Sequence, residues 1–333
     1  MKKKVSVFTG NKLLDNNEIF NYKKRNNLTK VYLLKKELEK KGFDVATSDI
    51  IKPKESEIHL YFCMPFKMPK KKNISKSYIV LGEPKLVVPR NFEKKYYKYF
   101  NKIFTWKDSL VNNKKFFKIN YSFKFPKKII YKVPFEKKKN FTLIAGNKFS
   151  LSKLELYSKR LELIKWFEKN GKNGDFEFYG YGWNKGSQLI SERFGFLNRG
   201  LKLFDFLRSK KFKNYKGSVD DKFKTLSKYK FNFAFENSIE EGYVTEKIFD
   251  SFFAGTVPIY LGTKNISKSI PKSCYIDYSE FNSIEEMYKT LKSMSKKEYN
   301  QYIKNIENYI TSKKINKFRV ETFVNTVVKN ILN

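Results

Sequence analysis

The sequence contains very little histidine, cysteine and arginine. His59 is the single histidine in 333 residues, two residues are cysteine, and only seven of the 70 basic residues are arginine. One histidine cannot build a histidine metal site, and Cys63 and Cys274 stand in no metal-ligand spacing. We therefore predict that His59 is a structural strand residue. The cysteines are predicted to be buried free thiols, which fits a reducing compartment.

Long apolar runs are also lacking. No segment approaches the roughly 18 to 20 uninterrupted apolar residues that a membrane span needs. The basic start at residues 2–4 is followed by an apolar run at 5–9 that is too short for a signal peptide. These features predict a soluble protein of the cytoplasm.

Acidic residues are few, 33 against 70 basic ones, which gives a formal net charge of +37. Such a charge is typical of a nucleic-acid or polyanion-binding protein, or of a protein whose solvated faces simply carry lysine. Lysines run through the whole chain, arginine is scarce and no nucleic-acid-binding motif is present, which favours the second interpretation. A weak attraction to anionic membrane surfaces at low salt is still expected.

Apolar residues make up 41% of the chain and aromatic residues 17%, enough for two buried cores. The first third alternates short β-rich runs with segments of helical spacing, a pattern typical of a parallel sheet covered by helices. Strands are predicted at 5–9, 45–51, 58–64, 78–81 and 102–106, and helices at 28–41 and 91–100.

The later part of the chain repeats this alternation. Strands are predicted at 141–145, 176–179, 231–236 and 256–261, helices at 153–168 and 245–254, and two or three helices from 284 onward. Residues 184–216 fit no element. The prediction is an α/β protein with an N-terminal Rossmann-like domain at 1–125, a linker at 126–140, a second Rossmann-like domain at 141–280 and C-terminal helices at 281–333.

The last segment, 318–332, has an amphipathic pattern with Phe323, Val324 and Val327 on one face. A helix of this kind packs back on the body of a protein or lies on a membrane surface. Its polar face holds few lysines or arginines, which favours packing on the body.

The most informative stretch is 228–262, a strand, a polar loop, a helix start and a second strand. Phenylalanines alternate with smaller or polar residues along the first strand. Glu236 and Asn237 follow at its carboxyl end. Thr245 is predicted to cap the next helix, with Glu246 and Lys247 in its first turn. A helix start beside a lysine is an anion site, although both charged residues are equally compatible with an ordinary surface turn.

Three motifs in this stretch form one longer pattern. They are Tyr-Lys-Phe-Asn-Phe-Ala-Phe-Glu-Asn-Ser at 229–238, Tyr-Val-Thr-Glu-Lys at 243–247 and Gly-Thr-Val-Pro-Ile-Tyr-Leu-Gly at 255–262. Together they resemble the donor-binding signature of the α1,3/4-fucosyltransferases. The resemblance implies that Asn237, Tyr243, Glu246 and Lys247 bind GDP-fucose.

Two upstream segments are similar to the same family. The segment at 146–160 resembles the strand, loop and helix that present an arginine to the donor diphosphate, which implies donor binding by Asn147 and Arg160. From the residues alone, Arg160 is a solvated or ion-paired helix residue. Lys222 is implied to reach the donor, and Glu83, in the strand end at 78–84, to be the general base.

The resemblance also implies the fold and the reaction. The expected fold is GT-B, with two Rossmann-like domains facing across a cleft. The expected enzyme is an inverting α1,3-fucosyltransferase acting on a GlcNAc- or Glc-containing oligosaccharide, with Glu83 as base and Glu246 orienting the fucose. No D-x-D triplet is present, so no obligatory metal is expected, and a divalent cation is allowed only as a stimulator. The alternatives are a transferase of this fold that uses another GDP-sugar, and a basic polyanion-binding protein.

Overall fold

The computed structural model describes residues 2–23, 28–184, 188–189 and 212–333. The chain forms two compact units, unit 1 from residues 1–124 with 316–333 and unit 2 from residues 125–315. The chain therefore passes from one unit to the other twice. The C-terminal segment at 316–333, placed with the C-terminal helices in the sequence-based division, is part of unit 1.

Unit 1 is built on a six-stranded sheet in which every neighbouring pair is parallel, in the order β2-β1-β3-β4-β5-β6. Strands buried on both faces need near-continuous apolar runs, and β4 is buried along its whole length. The strands are β1 Lys3–Phe8, β2 Phe43–Thr47, β3 Ile58–Phe62, β4 Ser77–Leu81, β5 Lys102–Thr105 and β6 Phe116–Lys118.

Two helices from opposite ends of the chain cover one face of this sheet. They are α1, Thr29–Lys40, and the last helix of the chain, Val320–Leu332. Val31 and Leu34 of α1 share one buried cluster with Phe323 and Val327 of the last helix. The interpretation of the tail as a helix that packs on the body is therefore confirmed.

The helix predicted at 91–100 is wrong. The segment forms two short 3-10 helices, Pro89–Phe92 and Lys94–Tyr99, separated by extended backbone at Glu93. Tyr97 and Phe100 are both buried, and a spacing of three places them on one side of a 3-10 helix, whose period is three residues. The break also leaves Asn91 buried, with its carbonyl accepting from the Tyr97 hydroxyl at 3.0 Å.

The structure places His59 and the two cysteines in three different environments. His59 is buried in β3, with its Nε2 2.9 Å from the carbonyl oxygen of Pro53, as a structural histidine should be. Neither cysteine forms a disulfide in the described part of the chain, and Cys274 is buried. Cys63, expected to be buried, is only half-buried because it follows the end of β3, where its φ of 76° turns the chain out of the sheet.

Unit 2 contains a five-stranded parallel sheet in the order β13-β12-β11-β7-β9. From β7 the chain adds β9 on one side and from β11 it adds β12 and β13 on the other. The order therefore reverses between β7 and β11, and ligands of such sheets bind at the carboxyl ends of the strands at this point. The strands are β7 Lys139–Ile144, β8 Lys148–Phe149, β9 Phe176–Tyr179, β10 Gln188–Leu189, β11 Tyr229–Phe235, β12 Val257–Leu261 and β13 Ile276–Asp277, with β8 and β10 forming a separate pair.

The helices of unit 2 cover this sheet with aromatic side chains. Phe167 stacks on Phe176 with ring centroids 4.4 Å apart, and it packs against Phe141 at 5.5 Å. The helices are α2 Tyr157–Asn170, α3 Lys222–Leu226, α4 Glu246–Ala254, α5 Ile284–Lys292 and α6 Lys296–Thr311, and the helix Val320–Leu332 of unit 1 is α7.

The segment interpreted as a linker, 126–140, packs into unit 2. Ile129 is buried, and β7 already starts at Lys139. Lys138 is buried and its ammonium donates to the carbonyl oxygens of Ser227, at 2.7 Å, and Gly255, at 3.0 Å. Lys138 is therefore a structural donor within unit 2.

Within residues 2–23, 28–184 and 212–333, no helix has the length and apolar character needed to cross a bilayer. Most of the segment that fitted no predicted element, 184–216, lies outside the described residues.

Candidate donor site

A pocket of about 300 Å³ opens at the carboxyl ends of β7 and β11 in unit 2. Its size is at the lower end of the range for small-molecule sites. The backbone of Ala145 and Gly146, just beyond β7, forms one wall, and Asn237, just beyond β11, lies on another. The charged side chains that line it are Lys148, Arg160, Lys222, Glu246, Lys247 and Asp250. Four cations against two carboxylates make the pocket attractive to an anion.

The first turn of α4 forms one side of the pocket. Thr245 precedes the helix, but its side chain makes no cap hydrogen bond, so the predicted capping role is wrong. The hydroxyl of Thr245 instead donates to Oε2 of Glu236 at 2.7 Å, and its N–H donates to Oε1 at 2.7 Å. Glu236, buried just beyond the end of β11, therefore accepts both donors of Thr245.

Lys247 lies between acceptors on three residues. Its ammonium is 3.0 Å from Oγ1 of Thr245, 3.3 Å from Oε2 of Glu236 and 3.3 Å from Oε1 of Glu246. Burial would lower the pKa of Lys247, but Glu246 and Glu236 outweigh it and raise the pKa. Lys247 is therefore a fixed positive charge on the pocket wall at neutral pH.

Glu246 is the most exposed of the acidic groups in the site, with 44% of its side chain accessible. Burial acts to raise the pKa of Glu246, but Lys247 and Lys222 overcome it and hold the pKa at about 2. The carboxylate is thus ionised across the physiological range. An ionised carboxylate is a hydrogen-bond acceptor suited to sugar or ribose hydroxyls.

Arg160 enters the pocket from α2. The helix was predicted to start at 153, which would put Arg160 well inside it, but α2 starts at Tyr157 and Arg160 stands in its first turn. The helix starts late because Oε2 of Glu155 accepts the N–H groups of Tyr157, at 2.6 Å, and Ser158, at 2.9 Å. This capping directs the arginine toward the end of β11.

The guanidinium of Arg160 is buried, with 3% of the residue exposed. Its Nη2 contacts the carbonyl oxygens of Phe235 and Glu236 at 2.7 Å each and Oδ1 of Asn237 at 3.1 Å. Its Nε has no partner in the described part of the chain. Burial lowers the pKa of Arg160, and an anionic ligand would offset that cost. A buried cation with a spare donor on a pocket wall is suited to phosphate.

Lys222 and Asp250 close the far side of the pocket. Nζ of Lys222 is 2.5 Å from Oδ2 of Asp250. Burial raises the pKa of Asp250 to about 6, even though Lys222 favours its charged form. Sequence reasoning placed Lys222 near the donor but did not single out Asp250, which lies one helical turn after Glu246 on α4.

Gly146 and Gly180 line the pocket, and a close approach of the backbone requires glycine only at Gly180. Gly180 follows β9 with φ of 133°, and a Cβ there would lie 2.0 Å from the carbonyl oxygen of Ala145. At Gly146 a Cβ would meet the Lys148 side chain at 3.6 Å. The strand ends therefore approach one another more closely at Gly180 than side chains permit.

Two of the residues implied to bind the donor stand beside the pocket rather than on its lining. The side-chain amide of Asn147 donates to the carbonyl oxygen of Gly182 at 3.2 Å. Tyr243 is buried, and its hydroxyl accepts from the Asn237 amide at 3.5 Å. Their roles as donor ligands stay predictions, and the geometry gives both a part in holding the pocket walls.

Glu83 belongs to unit 1, in the loop that follows β4. The carbonyl oxygen of Glu83 accepts from Nδ2 of Asn91 at 3.0 Å, and Oδ1 of Asn91 accepts the N–H of Met64 at 2.8 Å. The neighbouring Gly82 carbonyl accepts from the Trp106 indole at 2.9 Å. The loops that follow β3 and β4 are therefore tied together at the carboxyl edge of the unit 1 sheet, and the proposed base lies on a fixed backbone.

The site includes residues that were not predicted to take part in donor binding. Lys148 and Asp250 line the pocket, and Glu236 lies beneath it. Lys148 and Glu236 stand inside the segments that carried the resemblance, and Asp250 stands between two of them. The sequence gives no sign that a carboxylate at a strand end is buried. Among the described residues, no group of three His, Cys, Asp or Glu side chains is placed to hold a metal ion.

Two parallel sheets, each in its own unit and each with helices packed on it, define the GT-B class of glycosyltransferase folds. A solved α1,3-fucosyltransferase structure with GDP-fucose aligns with a TM-score of 0.53 at 16% identity, over 100% of this chain and 90% of that chain. The solved structure of WaaG, a glycosyltransferase involved in lipopolysaccharide biosynthesis, aligns with a TM-score of 0.54 at 9% identity, over 97% of this chain and 98% of that chain. Because the sequence identities are this low, these structural likenesses establish the fold alone.

Sequence comparison finds a family match for the later part of the chain. Residues 200–329 match the family described as glycosyltransferase family 10 (fucosyltransferase) C-term. The chain is 41% identical over 69 residues to an α-(1,3)-fucosyltransferase of Helicobacter pylori, over 21% of this chain and 14% of that relative. It is 43% identical over 74 residues to 4-galactosyl-N-acetylglucosaminide 3-α-L-fucosyltransferase 9 of Mus musculus, over 22% of this chain and 21% of that relative. By these matches, residues 200–329 of the chain resemble the C-terminal part of the fucosyltransferases. The matches span only about a fifth or less of those relatives' lengths.

Proposed function

We propose that the protein transfers fucose from GDP-fucose to a hydroxyl of an acceptor glycan. The observation that carries this proposal is the convergence of Arg160, Lys222 and Lys247 on one pocket at the strand-order reversal of unit 2. A nucleotide diphosphate is the ligand that such a set of cations beside a helix N-terminus fits. The family match and the GDP-fucose held by a relative of the same fold support fucose as the sugar.

In this proposal the diphosphate lies against Arg160 and Lys247, and the spare Nε of Arg160 donates to a phosphate oxygen. Lys222 adds a third positive charge. Glu246, which is ionised, accepts hydrogen bonds from hydroxyls of the ribose or of the fucose. The cations act where negative charge grows as GDP departs, which is the arrangement that lowers a transfer barrier.

The proposed reaction is an inverting displacement. Glu83 removes the proton from the acceptor hydroxyl, and the oxygen attacks the anomeric carbon from the face opposite GDP. The bond from the anomeric carbon to the β-phosphate oxygen breaks, and its electron pair leaves with GDP. The α1,3 linkage and a GlcNAc- or Glc-containing acceptor rest on the family resemblance. The proposal needs no obligatory metal, because side-chain cations neutralise the leaving group, so we expect activity to persist in EDTA.

Calorimetric titration tests the donor site. The wild-type protein is titrated with GDP-fucose, GDP-mannose and UDP-glucose at moderate salt, alongside Lys247→Ala and Arg160→Ala. Lys165→Ala, an exposed position on the same helix as Arg160, is the control for loss of one charge. We expect GDP-fucose to bind and both pocket variants to weaken it by about tenfold or more, with Lys165→Ala unchanged.

Other results of the titration would change the proposal. Tighter binding of GDP-mannose than of GDP-fucose would change the proposed donor to GDP-mannose and leave the proposed binding site unchanged. Failure of a folded protein to bind any of the three nucleotides would overturn it. Binding to DNA that falls steeply with salt would then make the polyanion interpretation the leading one.

The role of Glu83 is tested separately from donor binding. Glu83→Gln removes the base but no charge from the donor pocket, so the transfer rate should fall about 10²–10⁴-fold while GDP affinity is unchanged. Glu93→Gln, which breaks a pair with Lys95 at 2.8 Å in the same unit, is the control and should leave the rate within twofold. A Glu83→Gln enzyme with the wild-type rate would show that the base is another group.

A further inference from the structure

Glu236 contacts both of the pocket cations that are proposed to hold the diphosphate. Its main-chain carbonyl accepts from Nη2 of Arg160 at 2.7 Å, and its side-chain Oε2 is 3.3 Å from Nζ of Lys247. Arg160 comes from α2 and Lys247 from α4, so a single residue at the end of β11 joins the two helices at the pocket.

The same carboxylate fixes the start of α4. It accepts both the N–H and the hydroxyl of Thr245, each at 2.7 Å, so that its two oxygens receive three donors in all. The N–H groups of the first turn of a helix are oriented by the residue that precedes it. Glu236 therefore sets the direction in which the α4 N-terminus faces the pocket.

Glu236 is fully buried, and it is not one of the pocket-lining residues. Gly262 provides the room for it, because a Cβ at that position would lie 2.7 Å from Cγ of Glu236 and 2.4 Å from the Tyr260 hydroxyl. A fully buried carboxylate costs stability unless it is paired and hydrogen-bonded. Burial raises the pKa of Glu236, and Lys247 and the two donors of Thr245 offset part of this cost.

We propose that Glu236 is a positioning residue for the donor diphosphate, holding Lys247 and the N-terminus of α4 in place without touching the ligand. This inference rests on the proposed function, since it assigns the pocket a diphosphate ligand. It adds a residue whose effect on donor affinity acts through Lys247 and Thr245.

The amide of a glutamine cannot reproduce these contacts. Glutamine at 236 has one acceptor oxygen and one donor nitrogen, whereas the site presents three donors to two acceptor oxygens. If the oxygen keeps the Thr245 N–H, the NH₂ group faces the ammonium of Lys247. Two donors repel each other, so Lys247 would leave its position.

The experiment compares Glu236→Gln with Asp175→Asn. Asp175 is also a buried carboxylate of unit 2 with three donors, from Asn140 at 2.7 Å, Tyr288 at 2.5 Å and Lys292 at 2.7 Å, but it precedes β9 at the opposite edge of the sheet. Each substitution replaces a buried carboxyl group that has three donors with an amide. Affinity for GDP-fucose and for inorganic pyrophosphate is measured by calorimetry, and the melting temperature by calorimetric scanning.

We expect Glu236→Gln to weaken both ligands by about tenfold or more and Asp175→Asn by less than twofold, at a similar loss in melting temperature. Gly262→Ala, which changes no charge but occupies the space of the Glu236 side chain, should weaken both ligands in the same direction. It keeps the inference testable if Glu236→Gln does not fold.

A second readout follows Lys247 itself. Its labelling by acetic anhydride is measured by mass spectrometry from pH 7 to pH 11 without ligand. Glu236 and Glu246 raise the pKa of Lys247, and Arg160 lowers it. Loss of the Glu236 charge should therefore shift the labelling curve to lower pH, and Asp175→Asn should leave it unchanged.

The outcomes separate the inference from the proposed function. Wild-type affinity and labelling in Glu236→Gln would overturn the inference and leave the donor assignment intact. A wild-type protein that binds pyrophosphate but no GDP-sugar would overturn the proposed function, while the Glu236 comparison would still be decided on pyrophosphate. Binding of neither ligand by folded wild-type protein would overturn both.

Discussion

Thr245 gives both its N–H and its hydroxyl to the buried carboxylate of Glu236, at 2.7 Å each. The residue that sequence rules assign as a helix cap thus anchors the helix to the end of a neighbouring strand. The start of α4 is held from outside the helix, and the position of Lys247 depends on that anchor.

Thr245→Val should test this anchor through stability. The substitution keeps the N–H contact and removes the hydroxyl, leaving Oε2 of Glu236 with one donor fewer in a fully buried site. We expect the free energy of unfolding in urea to fall by about 1–3 kcal/mol. Thr311→Val is the control, because its hydroxyl donates to the Glu307 carbonyl on an exposed part of α6, and it should change stability by less than about 0.5 kcal/mol.

Gly180→Ala should be far more damaging than Gly174→Ala. Both glycines have positive φ, 133° and 81°, but an added Cβ would lie 2.0 Å from the Ala145 carbonyl oxygen at Gly180 and would meet nothing within 4 Å at Gly174. We expect the free energy of unfolding in urea to fall by about 3 kcal/mol or more for Gly180→Ala and by about 1 kcal/mol for Gly174→Ala. Equal losses would mean that backbone strain, rather than the close approach of the pocket walls, decides both.

Asp250 should make stability depend on pH in an unusual direction for a carboxylate. Burial raises its pKa to about 6 from an ordinary value of 3.8. The folded state therefore binds the proton more tightly than the unfolded state, and the contribution of Asp250 to stability is present below pH 4 and lost as the pH rises through 6.

Asp250→Asn removes this titration. The free energy of unfolding of the variant minus that of the wild-type protein should rise by about 2 kcal/mol between pH 4 and pH 7. Parallel urea denaturation series at several pH values measure this difference, in which the other titrating groups cancel. A difference that is flat with pH would show that Lys222 keeps Asp250 charged throughout.

Lys138→Met should destabilise unit 2 although it removes a charge from a very basic protein. The ammonium donates to the carbonyls of Ser227 and Gly255, and methionine would leave these buried acceptors without it. We expect the free energy of unfolding in urea to fall by about 3 kcal/mol. Lys137→Met, at the exposed neighbouring position, is the control and should have little effect.

The sequence predicted the elements that depend on local pattern. The alternating phenylalanines of β11, the helix start at Glu246 and the parallel α/β class are all found in the structure. Five of the residues that the resemblance implied for donor binding line one pocket: Arg160, Lys222, Asn237, Glu246 and Lys247. Strand ends and helix starts are local features, and the carboxyl edge of a parallel sheet brings them together.

The predictions that were wrong depend on contacts between distant residues. Thr245 stands at a position where the sequence predicts a helix cap. Only the folded chain shows that its hydroxyl donates to the Glu236 carboxylate. Lys138 lies in the segment interpreted as a linker, and it is buried because the carbonyls of Ser227, Tyr229 and Gly255, from two distant segments, surround its ammonium. The segment 91–100 was predicted to be a helix but forms 3-10 helices, because buried Asn91 is hydrogen-bonded to Met64 and Glu83 in two separate loops. Local propensity is a weak predictor where tertiary hydrogen bonds compete with it.

The return of the chain to unit 1 for α7 has a consequence for its synthesis. The face of α1 that carries Val31, Leu34 and Leu38 packs with α7, whose residues are translated only after the whole of unit 2. At about 5–20 residues per second, this interval lasts about 15–60 s. Unit 2 can fold on the ribosome during that time, while unit 1 keeps an uncovered apolar surface that chaperones would recognise.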